Sequence, residues 1–173
     1  GFQHLIGACS ILKQRGVPVE LHIVGEGPLR PVLEERIARD GLDSSVKLLG
    51  MRSQDEIKRE LAGADLFVLA SIFDSVGASD ILPTGITEAM AGRLPVVSTT
   101  VTGIPEMVLH GVTGLLVEPA EEAAMADAIA GLAGDPERRR GMGEAGRRHA
   151  ESLFTFKATA GVLGRRFVDL AEQ

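Results

Sequence analysis

Tryptophan and tyrosine are absent from this 173-residue chain, and six phenylalanines supply its whole aromatic content of 3%. With so few rings the chain has little to stack against a nucleobase or a sugar face. That argues against single-strand nucleic-acid platforms and aromatic carbohydrate-binding surfaces. Basic charge is short as well: 18 Lys and Arg stand against 24 Asp and Glu, for a formal net charge of -6. A nucleic-acid footprint needs a basic patch, so no nucleic-acid partner is expected. The single cysteine, Cys9, cannot close an internal disulfide, which fits a reducing, cytoplasmic setting. Its apolar helical neighbours read it as a small buried residue rather than a reactive thiol. The apolar runs are short and interrupted, so no bilayer span is expected, and the start of the sequence does not read as a signal peptide.

What is present suits a globular α/β domain: 45% hydrophobic residues, 24% charged residues and 21 glycines in a chain long enough to bury a core. The first residues, "GFQHLIGACSILKQRG", carry apolar positions at helical spacing with no cap before them. A domain opening inside a helix reads as cut from something longer, and the chain is expected to be a fragment.

Strand and helix signals then alternate. Strands are expected over 19–24, in "VKLLG", "DLFVLAS", "LPVVST" and "GLLVEP". Between them "PLRPVLEERIARDG" reads as a helix with Pro28 near its first turn and Gly41 at its end. "SQDEIKRELAGA" reads as a helix whose Ser53 and Glu56 form a capping box. "IPEMVLHG" is a short helical turn. Three helices are expected at the end, over 121–133, 136–152 and 156–172. The arginine-rich middle one reads as a solvated amphipathic helix in preference to a phosphate patch. Short strands separated by helices imply βαβ units, hence a Rossmann-like parallel sheet with helices on both faces. In such a sheet ligands bind at the carboxyl ends of the strands. The informative motifs fall at those ends: residues 25–28, 50–53, 71–88 and 99–106.

Gly25 and Gly27, in "GEGP", allow close approach of backbone to a ligand, and equally suit a tight strand-to-helix turn. In "DILPTGITEAMAGRLPVV" a helix is expected to start near Pro83 or Thr84. Its free first-turn amides carry partial positive charge, which suits a diphosphate. Glu88, one turn inside, could accept from vicinal hydroxyls such as those of a ribose, while Asp80 lies before the turn and would reach a group beyond the phosphates. Either acid alone could merely complement the helix dipole; the pair at this spacing favours a ligand site.

"DILPTGITEAMAGRLPVVSTTVTGIPEMVLHGVTGLLVEP" resembles the signature of retaining glycosyltransferases of the GT-B architecture, family 4 (group 1), and the flanking segments match in order over nearly the whole chain. The resemblance implies that residues 1–173 are the C-terminal, donor-binding Rossmann-like half, with the first strand and the N-terminal acceptor domain missing. It implies sugar transfer from a nucleotide-diphosphate sugar to an acceptor in polysaccharide or glycoconjugate synthesis, with no metal or other cofactor. By position, Glu88 resembles the ribose-binding acid and Asp80 the acid that contacts the donor sugar, here the candidate catalytic residue. Thr84 and Gly85 supply phosphate-binding amides, and Arg52 lies in the base-binding segment. The family usually has Glu, Gly and an aromatic where this chain has Asp80, Ile81 and Leu82, which bears on the donor sugar. Glu106 falls in a turn beside the site. The Arg and Lys that neutralise the diphosphate fall outside the chain, so the isolated fragment is expected to be inactive. A GT-B epimerase and a noncatalytic nucleotide-binding module remain alternatives. The missing strand belongs between those at 19–24 and 65–69. Its absence should lead either to direct pairing of those two or, the preferred expectation, to a homodimer of the fragment. The parent is read as cytoplasmic, compatible with peripheral association at the inner face of a membrane.

Overall fold

The computed structural model describes residues 1–73, 77, 79–155 and 160. The order is α1 (Phe2–Gln14), β1 (Leu21–Val24), α2 (Arg30–Arg39), β2 (Val46–Gly50), α3 (Gln54–Gly63), β3 (Phe67–Leu69), α4 (Thr84–Ala91), β4 (Val96–Thr99), α5 (Ile104–Met107), β5 (Gly114–Val117), α6 (Glu122–Ala133) and α7 (Pro136–Leu153). The strands are parallel throughout, as helical crossovers require. The expected strands and helices are present within the described residues. The helix expected over 156–172 lies outside those residues.

Local signals account for most boundaries. Ser53 caps α3, its hydroxyl accepting from the Glu56 amide while Glu56 accepts from the Ser53 amide at 2.8 Å, the reciprocal pair read from the sequence. Asp135 caps α7 by accepting from the Arg138 amide at 2.9 Å, and Pro136 occupies its first turn. Pro28 is not in the first turn of α2: that helix begins at Arg30 and its early proline is Pro31. The strand expected over 19–24 is paired only over Leu21–Val24, since Pro18 just before it has no amide to donate.

The sheet is in two pieces. β1 pairs with β2, and β3, β4 and β5 form a separate three-stranded sheet in that order. Direct pairing of β1 with β3 was one expectation, and it does not occur. A cavity of about 760 Å³ lies between them, lined by Leu21 and His22 of β1, Phe67 and Val68 of β3, and Leu5 and Leu12 of α1. The physical reason is α1, which packs on both pieces. Leu5 and Leu12 join the core with Val97, Met125 and Leu132, whereas Ile6 and Cys9 join Ile23, Leu33 and Val46. Collapse of one piece onto the other would expel side chains already buried in two cores. The joint is reinforced by Glu122 of α6, whose carboxylate lies over Gly7, where a Cβ would meet it at 1.9 Å. Arg36 of α2 donates to both Glu122 oxygens, at 3.0 and 3.1 Å.

The third core holds the centre of the second piece: Ile86, Ala89 and Met90 of α4 with Val96, Val101, Ile104 and Ala150, all buried. Three of the five arginines of α7 are taken up structurally. Arg139 donates to the Leu132 and Ala133 carbonyls at the end of α6, both at 2.7 Å, and Arg147 to the Ala91 carbonyl at the end of α4, at 2.6 Å. Arg140 and Arg147 also pair with Glu137 and Glu151 along the helix. The amphipathic reading of this helix holds. Among the described residues no helix is long and apolar enough to cross a membrane.

Candidate functional site

The candidate residues follow the carboxyl ends of parallel strands, and they fall into two groups on the two pieces of sheet. On the first piece β1 runs into Gly25 and β2 into Gly50. The Gly25 amide donates to the Gly50 carbonyl at 2.9 Å, so the two strand ends meet. Both glycines have positive φ, +129° and +72°, which a side chain would resist. Glu26 folds back over Gly50, where an added Cβ would meet its carboxylate at 2.7 Å, and Arg30 holds Glu26 at 2.6 Å. Gly27 has open space around it, so nothing in the packing demands glycine there. Arg52 donates to the Met51 carbonyl at 3.1 Å and stands 3.9 Å from Glu56.

The second group is built on α4. Pro83, at φ -63° and ψ 114°, stands immediately before the helix with no side-chain cap, and Thr84 opens it, as the sequence led one to expect. The first-turn amides therefore meet no side-chain acceptor from the capping position, and no acidic residue lies in that turn. Glu88 sits one turn further on and is exposed, as is Asp80. Gly85 has a packing reason to be glycine: an added Cβ would point toward the Phe67 ring, at 3.2 Å. Its amide, not its lack of a side chain, is what it can offer a ligand. Asp80 and Glu88 do not line the 760 Å³ cavity, which belongs to the gap between β1 and β3. Glu106 is exposed in the single turn of α5, its amide bonded to the Gly103 carbonyl at 3.1 Å.

The sequence reading missed what holds the connection from β3 to α4. Three hydroxyls from β4 and the loop after it donate to carbonyls at the end of β3 and along that connection. Ser98 donates to Leu69 at 2.7 Å, Thr99 to Ser71 at 2.7 Å, and Thr102 to Asp80 at 2.6 Å. Ser98 and Thr99 are buried polar residues satisfied in this way. The signal was present as the run "STTVTG", but a hydroxyl run by itself names no partner.

Chemically, the second group offers the first-turn amides of Thr84 and Gly85, which receive no side-chain cap from Pro83, with one carboxylate before them and one a turn beyond. The first group offers main chain that a flat ligand can approach closely.

The family model described as "Glycosyl transferases group 1" matches residues 1–135. The chain is 44% identical over 121 residues to the amylovoran biosynthesis glycosyltransferase AmsK of Erwinia amylovora, covering 70% of this chain and 30% of AmsK. It is 35% identical over 144 residues to the alpha-D-kanosaminyltransferase of Streptomyces kanamyceticus, covering 83% and 36%. The crystal structure of Anabaena Alr3699/HepE in complex with UDP superposes with a TM-score of 0.84 at 26% identity, over 98% of this chain and 45% of that one. The chain thus spans about a third of the length of these curated relatives.

Proposed function

The chain belongs to the group 1 glycosyltransferases, with the α/β fold of their GT-B members, and from that premise we propose that it is the nucleotide-sugar-binding half of a transferase. The transferase moves a sugar from a nucleotide-diphosphate donor to an acceptor in polysaccharide or glycoconjugate synthesis. The observation that carries the reading is the N-terminus of α4, where Pro83 supplies no side-chain cap, with Asp80 before it and Glu88 a turn inside. The amides of Thr84 and Gly85 receive the diphosphate, and Glu88 accepts from the ribose hydroxyls. Asp80 addresses the transferred sugar, and the main chain near Arg52, with Gly25 and Gly27, takes the base. A helix N-terminus stabilises the charge that grows on the leaving diphosphate as the glycosidic bond breaks. The remaining countercharge comes from outside residues 1–173, as does the acceptor site, and no metal is required by this scheme. HepE is known with UDP and with UDP-glucose, which supports a nucleotide-sugar ligand without naming the one used here. The proposed setting is the cytoplasm, with any membrane contact peripheral.

Calorimetric titration of the full-length protein with UDP and GDP tests the assignment. Replacing Glu88 by Gln keeps the shape and removes the charge. Loss of one charge-assisted contact should weaken nucleotide binding roughly ten- to hundredfold. Unchanged affinity for a nucleotide that the unaltered protein binds would overturn the role given to Glu88.

A further inference from the structure

We propose that Thr102 is a positioning residue for the donor site, holding the main chain that carries Asp80 at a fixed distance from the start of α4; this rests on the reading above. Thr102 has φ +47°, a left-handed conformation that a β-branched residue adopts only under constraint. The constraint is visible on either side: Val101 and Ile104 are fully buried and fix the loop from β4 to α5 in one path. What the strained residue gains is contact with the neighbouring connection. Its hydroxyl donates to the Asp80 carbonyl at 2.6 Å, and the next amide, that of Gly103, donates to the Ile81 carbonyl at 3.2 Å. Gly103 also admits the connection at close range, since a Cβ there would meet the Ile81 oxygen at 2.7 Å and Leu82 at 2.8 Å.

Among the described residues, these are the hydrogen bonds that hold the segment from outside. Ile81 and Leu82 are 72% and 53% exposed, so burial does not anchor them. Only residues 81–83 separate Asp80 from the first residue of α4, and Pro83 has restricted φ. With one end of that short span tied by Thr102 and Gly103 and the other by α4, the position of the Asp80 main chain relative to the helix amides is set, and with it the point from which the carboxylate extends. The same tie does not touch Thr84, Gly85 or Glu88. Two parts of the donor are therefore served by separable supports: the nucleoside diphosphate by α4 alone, and the sugar by a loop that depends on Thr102.

Thr102→Val is the decisive variant, because it keeps the β-branched shape and removes only the hydroxyl. In the full-length protein, the affinities for UDP and UDP-glucose and for GDP and GDP-mannose are measured by calorimetry, with melting temperature alongside. The expected result is unchanged affinity for the free diphosphate and a loss for the sugar conjugate of about tenfold, the worth of one well-placed hydrogen bond. Thr102→Ser should restore it. Thr102→Gly should melt no lower than the unaltered protein, because the backbone strain is relieved, yet still bind the conjugate poorly. The proposal is overturned if Thr102→Val binds both ligands normally while Asp80→Asn loses the conjugate, or if both ligands weaken in parallel with the melting temperature. If neither Asp80→Asn nor Glu88→Gln changes any affinity, the donor-site reading itself has failed and this inference goes with it.

Discussion

Two glycines one turn-face apart in α7 should respond to alanine in opposite directions. Gly141 is exposed, and a Cβ added there meets nothing within 4 Å. Alanine at that position should stabilise the protein by about 0.5–1 kcal/mol, the ordinary difference in helix propensity. Gly143 is buried, and its added Cβ would fall 2.0 Å from the Arg93 carbonyl oxygen and 2.8 Å from the carbonyl carbon. Non-bonded heavy atoms settle at about 3.5 Å, so α7 would have to retreat by more than 1 Å. The obstacle is main chain and cannot swing aside. It is also already constrained: Arg93 has φ +61° directly after Gly92, the residue that ends α4. Retreat would also open space beside Gly146, where even an added Cβ would lie in ordinary van der Waals range of the Met90 side chain, at 3.5 Å. Overpacking against a rigid neighbour costs about 3 kcal/mol, and the propensity gain offsets a fraction of that, leaving Gly143→Ala about 2 kcal/mol less stable.

Urea denaturation measures both, with the slope unchanged if only stability moves. A spread of about 3 kcal/mol between the two variants is expected from these opposing effects. Shifts in the same direction, or a spread below about 1 kcal/mol, would refute the steric account, since such a difference lies within the noise of surface substitutions. Because α4 carries Glu88 and the amides proposed for the diphosphate, Gly143→Ala should also weaken nucleotide binding, whereas Gly141→Ala should not.

Burial pushes the Cys9 thiol up to about 11, so alkylation at neutral pH should track unfolding; rapid labelling of the native protein would contradict the packing described. Hydrogen bonds donated by the imidazole to the Glu60 carboxylate, and then to that of Glu20, raise the His22 pKa above its ordinary value. The protonated imidazole therefore stabilises the fold below about pH 6.5, and this contribution fades as pH rises through the higher folded value; His22→Gln should flatten that slope in melting curves. Ser53→Ala removes the hydroxyl half of the capping box, leaving the residue-53 amide to donate to Glu56, and should cost about 1 kcal/mol by denaturation, more than Ala at an exposed mid-helix site. The free edges of β1 and β3 should draw two copies of residues 1–173 together; a monomer by light scattering at tens of micromolar would count against that proposal.

The parts of this fold legible in the sequence were those whose causes are local. The capping box at Ser53 is a three-residue pattern, and the start of α4 follows from Pro83, whose ring favours the extended conformation seen there. Cys9 could be read as buried from its neighbours alone. The first turn of α2 was misread because Pro28 and Pro31 both offer a plausible start, and the local pattern does not rank them. The missed features are non-local. Thr102 meets Asp80 across 22 positions, and Thr99 meets Ser71 across 28; no spacing rule announces either. The gap between β1 and β3 falls where the family resemblance put the missing strand; what no local pattern announced is that α1 commits its two faces to different cores on either side of it.

That gap bears on the site itself. The proposed base-binding main chain, at Gly25 and Arg52, belongs to the piece containing β1 and β2, while the proposed phosphate, ribose and sugar contacts belong to the piece containing β3 and β4. No ladder of sheet hydrogen bonds couples the two pieces. Within residues 1–173 the described ties between them are α1, the Arg36–Glu122 pair between α2 and α6, and His22 of β1 reaching Glu60 of α3 at 2.7 Å beside the gap. A nucleoside diphosphate that engages both pieces must therefore favour one separation between them and oppose others. It follows that ligand binding should stiffen the contacts of α1 and α6 far from the ligand, and that substitutions along α1 should alter affinity without touching the donor. A ligand seated on α4 alone would have neither effect, which makes the mechanical behaviour of α1 a measure of whether the base is held where the first group of glycines suggests.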